Sequence, residues 1–288
     1  MKARLVGQLS IVHYRLYMGP ENGILGGYSA SNPLKMHGLG IAGGLAEAVG
    51  LLQQRLVVAV LVTAVFTALA RWIRGVSRTG AVAGAVVCFV LYLGAGVGAF
   101  LALVSVFALT WITTRLGYQQ KQRLGTAEKK GGRTASQVVA NLGVAAACAG
   151  VYVVSGKPAF LLAIAAALAE AAADTVSSEL GQATSEKARL ITTWEEVPAG
   201  TDGGISVPGT LCGIAAAGVV SAVCALSGMV PVPWRWFAVA LTAAVLGMLA
   251  DSFLGAWLER RRVLNNDAVN FLSTLVAAVG AVAMQFLF

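Results

Sequence analysis

The sequence has little charge and almost no histidine. Only 12% of its 288 residues are Asp, Glu, Lys or Arg, against 57% hydrophobic, whereas a soluble domain carries about 25% charged and about 45–50% apolar residues. That excludes an ordinary soluble globule and predicts an integral membrane protein of the helical kind. The two histidines, His13 and His37, precede the first long apolar run, which argues against a histidine-based zinc site or a Ser-His-Asp triad. The four cysteines, Cys88, Cys148, Cys212 and Cys224, lie in apolar stretches without C-x-x-C spacing and read as small packing residues rather than a metal or disulfide set. No G-x-x-x-x-G-K-[ST] phosphate loop occurs. The net charge of +8 comes without any zinc-finger, RNA-binding or aromatic-interleaved basic motif, which argues against nucleic acid as a partner.

What the chain does have is apolar length. Residues 1–54 are Gly-rich and weakly periodic, and no apolar core precedes a small-residue cleavage site, so they read as a divergent segment of unassigned role rather than a signal peptide. Residues 55–288 read as a single transmembrane catalytic domain. Requiring about 20 apolar residues per crossing, and breaking at charges, Pro and Gly clusters, gives eight spans: 55–71, 79–95, 97–114, 136–155, 158–179, 207–227, 234–257 and 268–287. The first is short unless it extends back through 39–54. The 79–114 stretch is split at 94-GAGVG-98 because one helix of that length overshoots a bilayer. The predicted fold is an all-α polytopic transmembrane helical bundle of about seven to eight spans, with its polar loops forming the site.

Basic residues test this partition. The loops 71–78, 115–133, 182–206 and 258–267 fall on one face and carry 14 Lys and Arg, whereas the opposite loops carry only Lys157 and Arg235. The positive-inside rule makes the four long loops cytoplasmic, which is the compartment of nucleotides, and puts the C-terminus outside. Trp72, Trp111, Trp234, Trp236 and Trp257 lie near predicted helix ends, as an interfacial belt requires.

Carboxylates inside such spans are expensive and point to function. In 167-ALAEAAADTVSSELG-181, Glu170 and Asp174 are four apart and share a helical face with Ser177 and Gly181, while Glu179 points about 140° away from Asp174. The competing reading is a buried structural contact with Ser, Thr or backbone groups. In 198-PAGTDGGIS-206, Thr201, Asp202, Gly203 and Gly204 form a turn whose amides are candidates to converge on a phosphate just before a helix N-terminus. A tight turn before a Ser-capped, Pro-started helix is the bland alternative. Asp251, together with Asn266, Asp267 and Asn270, recruits the same face, although Asp267 also suits a plain N-cap. Arg133, Gln137 and Asn141 share a stripe on the span that begins after 125-GTAEKKGGR-133, and Arg189 adds a second fork-shaped phosphate ligand. Lys129 and Lys130 read as topology or headgroup contacts. Carboxylates converging from several helices are how Mg²⁺ is held beside substrate phosphates, so Asp174, Glu179, Asp251 and Asp267 are the expected metal and catalytic set.

Five blocks then resemble one family. GGRTASQVVANLG (131–143), AAADTVSSELG (171–181), RLITTWEEVPAGTDGGIS (189–206), ADSFLGAWLERR (250–261) and NNDAVNFLSTL (265–275) are similar, in the same order, to blocks of the integral-membrane family that contains transmembrane protein 19 and the plastid phytyl-phosphate kinase, formerly known only as a domain of unknown function. The resemblance covers about 79–288. It implies a multi-helix kinase that converts an isoprenoid monophosphate, of phytyl or polyprenyl type, into the diphosphate at the expense of a nucleoside triphosphate, with CTP the expected donor and Mg²⁺ the expected cofactor. On this chain the implied positions are Arg133, Gln137, Asn141, Asp174, Glu179, Arg189, Asp202, Asp251, Asn266, Asp267 and Asn270. The same parts suit a CTP-dependent cytidylyltransferase acting on a lipid phosphate. A non-enzymatic transporter of anionic lipids is the alternative from another class, and predicts inverted repeats. The expected setting is a bacterial cytoplasmic membrane, with membrane lipids as neighbours.

Overall fold

The computed structural model describes residues 41–128, 131–230 and 233–285. The readings made on 1–40, on Lys129 and Lys130, and on the last residues of the final span lie outside the described residues. The chain is an all-α polytopic bundle. Its helices are α1 (Ile41–Trp72), α2 (Arg78–Arg115), α3 (Tyr118–Leu124), α4 (Ala135–Ser155), α5 (Ala159–Thr184), α6 (Val207–Leu226), α7 (Pro233–Leu254) and α8 (Asn266–Met284), with a π-helical turn, Gly255–Glu259, extending α7. The first helix therefore begins well before residue 55 and takes in the end of the segment read as separate. Three short strands between α5 and α6 make an antiparallel sheet of order β2-β1-β3: β1 (Lys187–Leu190), β2 (Glu196–Pro198) and β3 (Gly204–Ile205).

Among the described residues seven helices are long and apolar enough to cross a membrane, one fewer than the eight spans expected. The difference lies in α2. Its 38 residues would run about 57 Å as one helix, nearly twice the roughly 30 Å of hydrocarbon. At Gly96 the backbone leaves the helix (φ 77°, ψ −161°), a conformation open to glycine and costly for other residues. The chain turns back there. Gly94 abuts Ala149 near the end of α4 and Gly98 abuts Ser227 just past α6, whereas the two outer ends of α2 meet around residues 73–77. Trp111 Nε1 and Arg115 Nη2 both donate to the Ile73 carbonyl, at 3.3 and 2.8 Å. One helix thus makes two crossings, as the 94–98 break predicts, and all four long loops lie at one end of the bundle.

The centre of the bundle is α5, which is the most enclosed of the seven. Leu161 through Ala173 are buried without interruption, and α2, α4, α6, α7 and α8 all pack on it. A helix surrounded on every side cannot be amphipathic, and its Ala-rich sequence lets five neighbours approach closely. The tightest approach is to α6. A Cβ built on Gly209 comes 2.5 Å from the Ser177 carbonyl oxygen, and one on Gly213 comes 2.8 Å from that of Ala173. This contact fixes where α6 begins and hence where the sheet sits.

Gly218, also on α6, has nothing within 4 Å of its Cβ position. Gly209→Ala should destabilise the bundle by about 1–3 kcal/mol through backbone overpacking, while Gly218→Ala should stay within about 0.5 kcal/mol. Thermal unfolding of both variants in one detergent checks the contrast; equal melting points would show that the α5–α6 approach is not limiting.

Candidate active site

At the loop end of the bundle, a polar cavity of about 300 Å³ is walled by α4, α5, the sheet loop, α7 with its π turn, and the start of α8. The 131–134 segment reaches it through backbone contacts. Arg133 N donates to the Gly75 carbonyl (3.1 Å), Ser77 N donates to the Arg133 carbonyl (2.9 Å), and Val76 and Arg133 form an isolated parallel bridge. Gly132 makes the approach possible: its φ is +81° and its Cβ position lies 2.7 Å from the Arg74–Val76 backbone. Thr134 then caps α4 in a reciprocal capping box with Gln137. The Arg133 backbone is thereby clamped. Its guanidinium donates no hydrogen bond to the described residues and acts on the charge of Asp174 across the cavity.

Asp174 on α5 and Asp251 on α7 face each other within hydrogen-bonding reach. With the Asn270 amide turned as its neighbours require, its nitrogen donates to Asp251 Oδ2 (3.3 Å) and to the Asn266 carbonyl (3.2 Å), and its oxygen accepts from Asn141 Nδ2 (3.1 Å). Asn141 also donates to the Gln137 carbonyl at 2.9 Å. One polar network thus ties α4, α5, α7 and α8 together at the same depth. Glu170 lies one turn deeper on the same face. It is 1% exposed, and neither carboxylate oxygen has a hydrogen-bond partner among the described residues, because the neighbouring Ser273 hydroxyl donates to the Asn270 carbonyl instead.

Several expected site residues have other duties. Glu179 lines the cavity, but its oxygens are taken by Thr114 Oγ1 (2.9 Å) and Lys121 Nζ (2.5 Å). Lys121, 0% exposed, spends its other donors on the Thr113 and Thr114 carbonyls. This ion pair seats α3 beneath the bundle and engages both carboxylate oxygens of Glu179. Asp267 lies in the first turn of α8, off the cavity wall, and the N-cap is Asn265, whose side chain accepts from Ala268 N. Among the described residues no three His, Cys, Asp or Glu side chains group closely enough to hold a metal ion, so the four carboxylates do not form one cage. Arg189 is exposed on β1, away from the cavity, and donates to the Trp194 carbonyl at 3.0 Å. Gln137 lines the cavity, yet its side chain closes the capping box and donates to Glu128 Oε2 at 3.0 Å.

The 201–204 turn is on the wall but is not a ring of open amides. Thr201 N donates to the Pro198 carbonyl (3.2 Å) and Gly204 N to that of Thr201 (2.8 Å). Gly203 presses on Ala256 and Gly255 of the π turn, where a Cβ on it would come within 2.5–2.7 Å of Ala256. The turn therefore docks the sheet onto α7. Asp202 faces the cavity, and partial burial raises its carboxyl above the usual aspartate value, with Arg260 opposing the rise. Ser206 caps α6 by accepting from Gly209 N, with Pro208 in the first turn, as the bland reading has it. Glu128, Gln182, Ser252 and Glu259 also line the cavity and escaped the sequence reading. Glu259 sits inside a basic run that reads as topology, and Glu128 precedes the helix that carries the stripe.

Breaking one half of a buried ion pair strands a charge. Lys121→Met should therefore cost about 3 kcal/mol, and Lys121→Met with Glu179→Gln appreciably less. A double-mutant cycle by thermal unfolding in detergent measures this, and additive losses would show that the two side chains act independently.

Comparison with known proteins agrees with this architecture. Residues 61–278 match the family model described as "Integral membrane protein DUF92". The chain is 32% identical to the uncharacterized membrane protein MJ0933 of Methanocaldococcus jannaschii over 78% of its own length and 92% of that protein. It is 30% identical to Protein VTE6, chloroplastic, of Arabidopsis thaliana over 74% of its length and 66% of that protein. Against the uncharacterized membrane protein sll0875 of Synechocystis it is 29% identical over 68% and 77%. No solved structure matches. The chain belongs to the DUF92 family of integral membrane proteins, the family its five motif blocks resemble.

Proposed function

We propose that this protein is a membrane-embedded kinase that transfers a phosphoryl group from a nucleoside triphosphate, CTP by preference, to an isoprenoid monophosphate. The observation that carries the reading is Arg133: a backbone-clamped guanidinium with unspent donors, opposite paired carboxylates, on the wall of a polar cavity. A guanidinium in that state suits a phosphate, because its donors form a planar fork. Likeness to Protein VTE6 and the family resemblance support the reaction class. The one-sided basic loops favour a cytoplasmic cavity, in reach of nucleotides. The setting that fits is a bacterial cytoplasmic membrane.

In the transfer, an oxygen of the acceptor phosphate bonds to the γ-phosphorus as the bond from that phosphorus to the β,γ-bridging oxygen breaks. The electron pair leaves with the nucleoside diphosphate, and a dianionic acceptor has no proton to lose. Positioning and charge neutralisation then dominate catalysis. Arg133 holds acceptor and transferring phosphates together against their repulsion. Asn141 and Asn270 keep Asp251 oriented toward Asp174. The carboxylate pair fits Mg²⁺, which is usually held by one or two carboxylates together with substrate phosphates rather than by an all-protein cage; when bound, it would neutralise the donor's phosphates.

Purified protein in nanodiscs, given a panel of isoprenoid monophosphates with each nucleoside triphosphate and Mg²⁺, should yield a lipid diphosphate and a nucleoside diphosphate by mass. A nucleotidyl lipid with pyrophosphate would instead identify a cytidylyltransferase, and lipid movement without nucleotide turnover a transporter. Asp174→Asn and Arg133→Ala should each lower turnover by about a hundredfold or more with melting point retained. Near-normal turnover in Asp174→Asn would overturn the site.

A further inference from the structure

A second cavity, about 320 Å³ and mainly apolar, adjoins the polar one. Its walls come from α1, both arms of α2, α4 and α5, with Phe66, Leu103, Val106 and Leu142 among them. Glu128, Arg133, Gln137, Asn141 and Thr175 line both cavities. A molecule filling the pair must be apolar at one end and anionic where it meets Arg133. A free nucleotide or inorganic phosphate satisfies only the polar half.

We propose that this apolar chamber seats the isoprenoid chain of the phosphate acceptor, and that the absent side chain at Gly84 sets the length of chain it admits. The inference rests on the kinase reading for the identity of the amphiphile. The chamber lies one helix from the bilayer, since its outer wall, α1, is the least buried of the seven spanning helices and turns Val60, Leu61, Val65 and Leu69 outward. On this proposal an acceptor dissolved in the membrane enters past α1, with its phosphate held at the level of the loops. Lipid tails are themselves as apolar as the chamber wall, so moving a prenyl chain inside gains little from hydrophobicity. Discrimination then comes from shape, and shape on this wall is set by glycine. Gly80 has a structural reason to be glycine, since its Cβ would fall 2.0 Å from the Arg133 carbonyl oxygen. Gly84, one turn on and also lining the chamber, has none: a Cβ there meets nothing within 4 Å. A side chain at 84 can fill the chamber without moving the backbone.

The test compares wild type with Gly84→Phe, full chain in nanodiscs, on dimethylallyl, farnesyl and geranylgeranyl monophosphates. Gly84→Phe should lose about tenfold or more in kcat/KM on the longest acceptor relative to the shortest. An equal effect at every chain length overturns the proposal. A second measurement needs no turnover and no variant: a farnesyl monophosphate analogue carrying a diazirine at its tail, photolysed on wild type. Labelling in α1, α2, α4 or α5 that geranylgeranyl monophosphate competes away supports the chamber, and labelling elsewhere overturns it. If the chamber is labelled and no acceptor yields a diphosphate, the kinase reading fails while the lipid seat stands.

Discussion

A carboxylate costs most where water is least able to reach it, and this protein keeps Glu170 and Asp174 on its most enclosed helix. In hydrocarbon an ionised carboxylate is costly by several kcal/mol, so such groups persist only if neighbouring elements supply polar partners at the same depth. At the level of Asp174 the bundle meets that demand from three other helices: Asp251 on α7, Asn141 on α4 and Asn270 on α8 reach one level and bond in series, whereas Glu170, one turn deeper, has no hydrogen-bond partner among the described residues. The rest of the architecture follows from keeping them there. α5 is almost all small residues so that these neighbours can come close, and α2 folds back at Gly96 so that both its arms flank the same core.

A membrane removes the usual force that would hold such helices together, because lipid is as apolar as leucine. Position is then fixed by close backbone approach and by polar bonds. Both devices appear at the rim of the site. The Arg133 backbone hydrogen-bonds to Gly75 and Ser77, an approach that Gly80 and Gly132 allow, and the 201–204 turn presses Gly203 onto the π turn of α7. A π turn locally widens a helix and is frequent at functional sites; here it makes room for the turn that closes one wall of the cavity. The backbone, rather than long side chains, holds Arg133 and Asp202 in place.

The sequence reveals the frame of this arrangement better than its pairings. Hydrophobic length and the glycine cluster at 94–98 are local signals, and they predict the spans and the turn inside α2. Helical spacing is local too: it puts Glu170 and Asp174 on one face and turns Glu179 about 140° away, and the structure indeed sends Glu179 to a different partner. That partner, Lys121, lies 58 residues upstream on a surface helix, a separation over which periodicity carries no information. The direction of the Arg189 side chain is hidden from helical spacing for a related reason. On a strand, alternate residues face opposite sides, and it is the neighbouring Ala188 that faces the cavity while Arg189 turns out to Trp194. The 201–204 turn supports two readings in sequence because a glycine-rich turn closed by its own hydrogen bonds has the same composition as one that binds phosphate.

The apolar chamber left no sequence signal at all, since a cavity is defined by side chains that are missing. Gly80 and Gly84 look like a helix-packing pair, and only coordinates separate the one that admits a neighbouring backbone from the one that borders open space. The two glycines nevertheless serve one end. The first lets the 131–134 segment approach closely enough to bring Arg133 to the mouth of the chamber, and the second leaves the chamber beyond it open. Arg133 stands at the boundary between a polar and an apolar compartment, the position at which the proposed amphiphile would have its charge and its chain on opposite sides. Under the proposed reading, selectivity for the phosphate resides in donors held by a backbone clamp and selectivity for the chain in volume, so the two can vary independently.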